Sequence, residues 1–439
     1  MSTNTNNAAA ATKAKVPIPD LPEPAHAQLD SMLARKFGKE VANYFAGSPL
    51  NRVSFLRPDT AFLSQALKHE SSRFVLYNNL NPLVKSSERL HYVGYNEIKS
   101  VLGDPYTRSE DELVKQYNSS IYQPQLVFLG IDEKKKSEGL VYKERYSGQP
   151  YWAVDVTPRA SVTEAAEQLI KRLEDTGVYF AQGRMQLSLV AEEVPTIYDS
   201  RFPPPTAAIY AEGRHLLDWN ARNPFCGGCG HKTLSVNGGF KRTCPPKDLA
   251  DRLADAADAP DRPPCATRVG VSNLCFPRTD PTVIMAVVSS DGQRMLLGRQ
   301  RRWPPHWYST LAGFLEPAES VEEAVRREVW EESGIHLGRV VIHSTQPWPY
   351  PANLMIGAIG QSIPGGEDIH LGHDAELEDA RWFSFDEIRE SLKTGTSGLG
   401  EEPGPEYTPG ALRVPPSTAI ANQLMAAVVN GFVSAEPKI

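Results

Sequence analysis

One 23-residue stretch, from Gly313 to Ile335, constrains the fold of this chain more than any other part of its sequence. It follows the spacing Gly-x5-Glu-x7-Arg-Glu-U-x-Glu-Glu-x-Gly-U, where U is an aliphatic residue. Ser320 and Glu323 form a Ser-x-x-Glu capping box, and Gly334 is placed to end a helix. The pattern therefore predicts an amphipathic helix between them, with an apolar stripe that packs on a sheet. The constrained positions are Gly313, Glu319, Arg327, Glu328, Val329, Glu331, Glu332, Gly334 and Ile335.

The glutamates of this helix share one face. Glu328 and Glu332 are four residues apart and Glu331 is three from Glu328, so their like charges repel by roughly 0.2–0.5 kcal/mol per pair. Mg²⁺ or Mn²⁺, which prefer oxygen ligands, would turn that repulsion into binding and would bridge phosphate oxygens. Arg327 is expected to orient Glu319 through a salt bridge. The alternative, a solvated acidic face, does not account for the glycine loop, the arginine and the terminal glycine together.

All five cysteines lie between Cys226 and Cys275, which favours a metal site over a disulfide scaffold. Cys226 and Cys229 have the spacing at which two thiolates reach one tetrahedral ion, and Cys244 follows at a distance typical of a β-hairpin. Of the two cysteines that remain, Cys275 adjoins the segment leading into the next strand, so the other is preferred as fourth ligand, with His231 a competitor. Buried reduced cysteines without metal are the alternative. The predicted ligands of one structural zinc are Cys226, Cys229, Cys244 and Cys265.

Three prolines alternate with two aromatic residues shortly after the helix, in segment 346–355, which reads Gln-Pro-Trp-Pro-Tyr-Pro-Ala-Asn-Leu-Met. Because proline fixes its own φ angle, we expect a stiff loop whose aromatic rings form a platform for a flat heterocycle. The alternative is a proline-rich connection whose aromatic side chains fill the core.

The composition is that of an ordinary globular protein. A chain of 439 residues predicts two or three domains, and a net charge of -7 gives no broad basic surface for non-specific nucleic-acid binding. No apolar run approaches the ~20 residues that span a bilayer, and residues 1–15 lack the apolar core of a signal peptide. The expected location is cytoplasmic. The C-terminal Pro437-Lys438-Ile439 differs from a Ser-Lys-Leu peroxisomal address at two of three positions, which makes the peroxisome the alternative.

Changes of pattern along the chain predict four segments. Residues 1–25 are expected to be a disordered arm, 26–222 an α/β domain without a catalytic constellation, 223–276 the zinc ribbon and 277–439 the catalytic domain. The main strands are expected at 73–77, 89–93, 125–129, 151–156, 283–288, 294–298, 339–343, 354–361 and 378–383, and further helices at 161–176, 207–220, 386–393 and 419–432.

Together these motifs resemble the NADH pyrophosphatase branch of the Nudix hydrolases. The spacing that begins at Gly313 is the Nudix box, and the proline-aromatic segment and the Cys-x-x-Cys-Gly ribbon belong to the same pattern. So do segments 276–281 (Phe-Pro-Arg-Thr-Asp-Pro) and 298–302 (Gly-Arg-Gln-Arg-Arg). The resemblance is weaker before residue 223, although segment 43–52 (Asn-Tyr-Phe-Ala-Gly-Ser-Pro-Leu-Asn-Arg) resembles the N-terminal segment of the family. Thr345 and Asn353 depart from the family, in which both places usually hold serine.

The resemblance implies a protein of the α/β (α+β) class. Its catalytic domain would be a Nudix α/β/α sandwich with a mixed sheet, preceded by a zinc ribbon and a degenerate, non-catalytic Nudix-like α/β domain. It also implies ligands for Mg²⁺ or Mn²⁺, which are the Ala312 carbonyl, Glu328, Glu331, Glu332 and Glu376. The implied general base is either Glu331 or Glu332. The implied substrate contacts are Phe276, Ala312, Gly313, Phe314, Gln346, Pro347, Trp348, Pro349, Tyr350, Pro351, Ala352, Asn353 and Ala421.

The implied activity is hydrolysis of the pyrophosphate bond of NADH, and of NAD⁺ and related dinucleotides, to NMNH or NMN and AMP. It would use two to three Mg²⁺ or Mn²⁺ ions and would take place in a homodimer, a common state in this family. Removal of an NAD cap from RNA 5′ ends breaks the same bond and stays open as an alternative. A zinc-ribbon binding module beside an inactive Nudix domain is the alternative of another class, although no box glutamate is missing.

Overall fold

A computed structural model of the chain describes residues 21–23, 41–181, 202–253, 258–268, 273–316, 319–373 and 376–430. They form two large mixed sheets and a two-stranded sheet between them in the sequence, with helices packed against the large sheets. The predicted disordered arm, residues 1–25, lies almost wholly outside the described residues. Within them, no helix combines the length and the apolar character needed to cross a bilayer.

The N-terminal half is built on the first large sheet, in which the parallel strands β1 and β7 are neighbours. The remaining strands pair antiparallel with β1, with β7 or with β2. Its strands are β1 (Arg73–Asn78), β2 (Asn81–Ser86), β3 (Arg89–Leu90), β4 (Tyr92–Val93), β5 (Leu126–Asp132), β6 (Leu140–Tyr142), β7 (Tyr146–Asp155) and β8 (Tyr179–Phe180).

Helices cover both faces of this sheet, and each face has its own apolar core. Trp152 and Phe74 stack in the core on one face, whereas Tyr77 and Tyr210 stack in the other. The helices are α1 (Thr60–Lys68), α2 (Tyr95–Leu102), α3 (Glu110–Lys115), α4 (Thr163–Glu174) and α5 (Pro204–Arg222). The longest, α5, contacts β1, β5 and β7.

The C-terminal half is built on the second large sheet, in which the parallel neighbours are β11 and β15. A short antiparallel hairpin, β9 (Leu234–Val236) with β10 (Lys241–Thr243), precedes it in the chain. The strands of the second sheet are β11 (Asp280–Val288), β12 (Arg294–Arg299), β13 (Leu311–Phe314), β14 (Leu337–Trp348), β15 (Asn353–Ser362) and β16 (Asp379–Ser384).

Two helices pack on opposite faces of this second sheet. Helix α6 (Val321–Ser333) places Val325 and Val329 in the core on one face, as the apolar stripe predicted. Helix α8 (Ile420–Val429) packs on the other face, and α7 (Phe385–Thr394) lies beside α8. A mixed sheet between helices is the predicted sandwich architecture.

The predicted strands all overlap strands of the structure, although segment 89–93 divides into two short strands. One expectation was wrong in part, because segment 346–355 is not a loop throughout. β14 continues to Trp348 and β15 begins at Asn353, so the segment is the end of a β-hairpin. Pro347 is compatible with a strand here because β14 lies at the edge of its sheet, where a missing N–H costs no ladder bond.

The tip of this hairpin contacts the N-terminal half. The hydroxyl groups of Tyr350 and Tyr210 lie 3.0 Å apart in the interior, and the Arg214 Nε donates a hydrogen bond of 3.0 Å to the Pro349 carbonyl. Gln346 Nε2 donates to the Tyr44 carbonyl at 3.0 Å. The two halves of the chain therefore share a buried, hydrogen-bonded boundary at the predicted substrate segment.

Candidate active site

Local sequence signals define both ends of helix α6. The Ser320 hydroxyl accepts a hydrogen bond from the Glu323 amide at 3.2 Å, and the Glu323 carboxylate accepts one from the Ser320 amide at 2.7 Å. Gly334 ends the helix in the left-handed conformation, with φ at 75°, which a residue with a Cβ adopts at a cost. The predicted capping box and terminal glycine are both confirmed, and they set which face of the helix the glutamates occupy.

Arg327 connects most of the acidic cluster. Its Nε and Nη2 donate to the two carboxylate oxygens of Glu319 at 2.6 and 2.8 Å, which confirms the predicted salt bridge. Its Nη1 also donates to Glu328 at 2.8 Å and to Glu331 at 2.9 Å, and its Nη2 to the Phe314 carbonyl at 2.8 Å. The Arg327 hydrogen bonds lower the pKa of Glu319 to about 2, so this carboxylate stays ionised and fixed in the loop before the helix.

Gly313 lies directly beneath Glu328. A Cβ atom built on Gly313 would meet the carboxylate carbon of Glu328 at 2.0 Å, far inside van der Waals contact. Only glycine allows the strand β13 and the helical carboxylate to approach this closely. The contact places the Glu328 carboxylate beside the backbone of Gly313 in β13.

Burial and neighbouring acids disfavour the ionised form of Glu328. Burial first, and then the charges of Glu331 and Glu376, raise the pKa of Glu328 in spite of its hydrogen bond to Arg327. Glu332 is buried, with 5% of its surface exposed, whereas Glu376 is exposed. Three carboxylates, those of Glu319, Glu328 and Glu331, surround the one guanidinium of Arg327. This excess of negative charge suits hard divalent cations, which would offset the repulsion that a single arginine leaves.

The predicted substrate residues separate into two cavities and an exposed ring. Because strand side chains alternate between faces, Gln346 and Trp348 line a cavity of about 250 Å³, while Pro347 and Pro349 line another of about 770 Å³. The smaller cavity also contains Tyr350 and Ala421, and the larger contains Phe276 and Asn353. Phe314, beside Gly313, is 58% exposed. Pro351 and Ala352 form the hairpin turn.

Tyr350 is less available to a ligand than the platform hypothesis implies. Only 4% of its surface is exposed, its hydroxyl contacts Tyr210, and its ring packs edge-on against Phe45. Sequence reasoning did not include Phe45 and its neighbour Tyr44, which also line the smaller cavity. The signal that could have identified them is segment 43–52, whose sequence resembles the N-terminal segment of the family.

The structure brings four of the five cysteines together at the ribbon. The Sγ atoms of Cys226, Cys229, Cys244 and Cys265 all lie within 4.8 Å of one another. Two pairs are 3.5 Å apart, and thiolates about 2.3 Å from a tetrahedral zinc ion would be about 3.8 Å apart. The cluster therefore has the donor set and the size for one zinc ion.

The other two candidate ligands make different contacts. The Sγ of Cys275 lies 3.6 Å from the Thr267 carbonyl oxygen, and the Nδ1 of His231 lies 3.1 Å from the Cys229 carbonyl oxygen. Burial raises the pKa of the Cys226 thiol, but hydrogen bonds from Thr267 and from nearby backbone amides outweigh it and lower the pKa to about 6. A thiol with a lowered pKa is readily available as a thiolate, the form that binds metal.

Comparisons with known proteins match both large sheets. Residues 278–401 match the NUDIX domain, and residues 71–219 match a family described as the NADH pyrophosphatase-like rudimentary NUDIX domain. The chain is 34% identical over 399 residues to an NAD-capped RNA hydrolase of Schizosaccharomyces pombe, and the aligned region covers 90% of this chain and 95% of that protein. It is 33% identical over 403 residues to the human NAD-capped RNA hydrolase NUDT12, covering 88% and 73%. It is 33% identical over 222 residues to the human mitochondrial NAD(P)H pyrophosphatase NUDT13, covering 50% and 54%.

Proposed function

The chain belongs to the NADH pyrophosphatase family of Nudix hydrolases, and we propose on that basis that it hydrolyses the pyrophosphate bond of NADH and NAD⁺. The products are NMNH or NMN and AMP. The observation that carries the proposal is the Glu328 carboxylate of α6, which lies directly over Gly313 and is hydrogen-bonded to Arg327. The chain combines these candidate cation ligands with two cavities lined in part by aromatic residues, which suit the two nucleosides of a dinucleotide diphosphate.

We propose that two to three Mg²⁺ or Mn²⁺ ions bind at the Ala312 carbonyl and at Glu328, Glu331, Glu332 and Glu376. When bound, such ions neutralise a diphosphate and lower the pKa of a water molecule. Glu331 or Glu332 accepts the proton of the attacking water. Arg327 keeps Glu319, Glu328 and Glu331 in their positions through its hydrogen bonds.

We also propose roles for the other residues of the site and of the ribbon. Phe276, Phe314 and the residues from Gln346 to Asn353, together with Ala421, contact the two nucleosides of the substrate. Cys226, Cys229, Cys244 and Cys265 bind one structural zinc, since all four ligand positions come from the protein and none is left for substrate. The domain division 26–222, 223–276 and 277–439 and the homodimer are part of the same proposal. The cytoplasmic or peroxisomal location stays a prediction.

The test is product formation by the full-length protein. We expect release of AMP and NMNH from NADH only when Mg²⁺ or Mn²⁺ is added, and a fall of about 10³-fold in Glu332→Gln, because a general base or metal ligand is lost. Glu322→Gln, which changes a glutamate in the first turn of the same helix, is the matched control and should keep full activity. Full metal-dependent hydrolysis by Glu332→Gln would refute the assignment.

NAD-cap removal is the second candidate, favoured by the names of the relatives in S. pombe and human. The same bond is broken at the same carboxylates, so one enzyme can do both. Comparing NADH, NAD⁺, ADP-ribose, diadenosine polyphosphates and NAD-capped RNA in one assay ranks the substrates. A zinc-ribbon binding module with an inactive Nudix domain predicts no hydrolysis of any of them, which the intact carboxylate cluster argues against.

A further inference from the structure

The loop between β15 and β16 packs over the C-terminal end of helix α6. The His370 amide donates a hydrogen bond of 2.8 Å to the Ser333 carbonyl in the last turn of the helix. A Cβ atom on Gly334, which ends the helix, would meet the His370 Cβ at 2.8 Å, so the loop and the helix are in close contact. Leu371 and Leu377 pack against the apolar core beneath α6. The loop is therefore attached to the helix that carries the box glutamates.

Two exposed rings stack where this loop meets the helix. The imidazole ring of His373 lies on the indole ring of Trp330, with centroids 4.2 Å apart and an angle of 25° between the planes. The His373 ring also lies 4.6 Å from that of His370. Trp330 is 39% exposed, and α6 already buries Val325 and Val329, so the core does not require an indole at this position. Aromatic pairs of this kind add stability beyond the area that they bury.

Each partner of the stack is close in sequence to a proposed metal ligand. Trp330 directly precedes Glu331, and His373 is three residues before Glu376. Three residues span at most about 11 Å, so the stack limits how far Glu376 can lie from the helix. Burial first, and then neighbouring charges that include Glu376, raise the pKa of Glu328. The two carboxylates are therefore near enough to act on each other.

The segment that follows Glu376 is anchored as well. The Glu378 amide donates to the Arg299 carbonyl at 2.9 Å, and Arg299 Nη2 donates to the Glu378 carboxylate at 2.5 Å. A Cβ atom on Gly298 would meet the Leu377 Cδ1 at 2.8 Å. Glu376 itself is exposed, and no hydrogen bond or ion pair within the described residues holds its side chain. Its position therefore depends on the two anchored ends of this part of the loop.

We propose that Trp330 and His373 are positioning residues, whose stacking keeps the Glu376 carboxylate near the box glutamates and so raises the affinity of the site for Mg²⁺ or Mn²⁺. The inference rests on the proposed function, in which Glu376 and the glutamates of α6 bind these ions. Neither ring contacts metal or substrate in this role. A carboxylate that is already held in place loses less conformational freedom when a cation binds, so the stack acts on metal affinity rather than on the chemical step.

The test measures Mn²⁺ binding to the full-length protein directly, from the electron paramagnetic resonance signal of the free ion, and the rate of NADH hydrolysis against Mn²⁺ concentration. Trp330→Ala and His373→Ala should each raise the Mn²⁺ dissociation constant about fivefold, and the Mn²⁺ concentration for half-maximal rate by the same factor. At saturating Mn²⁺ both variants should keep the wild-type kcat and the wild-type KM for NADH. Trp330→Phe, which retains a flat ring, should recover most of the affinity.

A double-mutant cycle tests whether the stack acts through Glu376. Glu376→Gln alone should weaken Mn²⁺ binding, and Trp330→Ala added to it should have no further effect, because the positioned carboxylate is already lost. The matched control is Phe55→Ala, which removes an exposed ring whose centroid lies 5.3 Å from that of Tyr146 in the N-terminal half. It should leave Mn²⁺ binding and both kinetic constants unchanged.

Unchanged Mn²⁺ affinity in Trp330→Ala and His373→Ala would overturn the inference, whatever their melting temperatures. A raised KM for NADH at saturating Mn²⁺ would also overturn it, because the rings would then be substrate contacts. Additive losses of Mn²⁺ affinity in the double variant, or an equal loss in Phe55→Ala, would count against it in the same way. Absence of NADH hydrolysis by the wild-type protein would instead refute the proposed function, and the Mn²⁺ dissociation constants would still test the stack.

Discussion

In both large sheets two parallel strands lie side by side, β1 with β7 in the N-terminal half and β11 with β15 in the C-terminal half. The antiparallel neighbours also correspond in chain order. β2 and β4 pair with β1, and in the same way β12 and β13 pair with β11. β5 pairs with β7, as β14 does with β15. At the far side, β8 pairs with β2, as β16 does with β12. The long helices α5 and α8 cover equivalent strands. The two halves therefore share one topology.

The helices that follow β4 and β13 show where the halves differ. In both, the glutamate three residues after the N-cap accepts a hydrogen bond from the N-cap amide, Glu97 from Gly94 and Glu323 from Ser320. Only Ser320 has a side chain that completes a capping box. Counted from these N-caps, Leu102 occupies the position of Glu328. Helix α2 ends there after 8 residues, whereas α6 continues for 13 and carries the remaining box glutamates. Caps and apolar contacts are enough to keep the fold. Two of the proposed metal ligands, Glu331 and Glu332, lie in the part of α6 that has no counterpart in α2.

The largest expected effect tests whether only one half is catalytic. Glu328→Gln should lower metal-dependent NADH hydrolysis by about 10³-fold, because the carboxylate beside Gly313 loses its charge. Glu97→Gln changes the glutamate of the corresponding helix in the N-terminal half and should leave the rate unchanged. Initial rates at saturating metal give both values. A comparable loss in Glu97→Gln would mean that the N-terminal half takes part in the reaction.

A second prediction uses the helices α5 and α8. Glu212 is buried on α5, whereas α8 contains no ionisable residue. Burial raises the pKa of Glu212 in the folded state to about 7, above its value in the unfolded state. Between the two pKa values the folded protein keeps the proton on Glu212, whereas the unfolded chain releases it. At low pH the carboxyl group is neutral in both states and does not affect stability. As the pH rises from about 4.5 to about 7, the free energy of unfolding falls by about 3 kcal/mol because of this group.

The measurement is the free energy of unfolding by urea at about pH 5 and about pH 8. Glu212→Gln should lose less stability than the wild-type protein between these values, because it has no carboxyl to ionise. Glu164→Gln, an exposed position on α4, should behave like wild type. If the free energy of unfolding of Glu212→Gln changed with pH as in the wild-type protein, the buried carboxyl of α5 would not be the source of the pH dependence.

The third prediction compares Gly313, beneath the Glu328 carboxylate, with Gly94, the N-cap of the corresponding helix in the N-terminal half. Gly313→Ala should lower activity about 100-fold, because its Cβ would displace the Glu328 carboxylate by an ångström or more. In the N-terminal half a Cβ on Gly94 would lie 3.7 Å from the nearest atom of Glu97, an ordinary contact, so Gly94→Ala should be silent. Rates and melting temperatures of both variants check this. Full activity in Gly313→Ala would show that the close contact is not needed for catalysis.

Local signals made much of the catalytic half predictable. The capping box, the terminal glycine and the Arg327–Glu319 salt bridge depend on residues at most eight positions apart, and all were expected and found. The ribbon cysteines were also expected, although spacing alone left Cys265 and Cys275 open until the structure placed Cys265 in the cluster. Backbone groups at helix ends need nearby partners, so short spacings carry this information.

Long-range packing was not predictable in the same way. Tyr350 was expected to face a ligand, but its hydroxyl meets Tyr210 from a helix 140 residues earlier in the chain. The division of segment 346–353 between two cavities follows from β14 extending to Trp348, which a proline-rich sequence did not indicate. The stability of such contacts depends on which surfaces meet, and no local spacing records that.

Short spacings along the chain specify a capped helix with glutamates on one face, a glycine before it, and cysteines spaced for one ion. These follow from helix periodicity and from ligand geometry over short distances. Folding is needed to bring the N-terminal half against the hairpin of β14 and β15, and to divide the residues of that hairpin between two cavities. Burial and charge are properties of surfaces brought together by folding, so they appear only when distant segments are in contact.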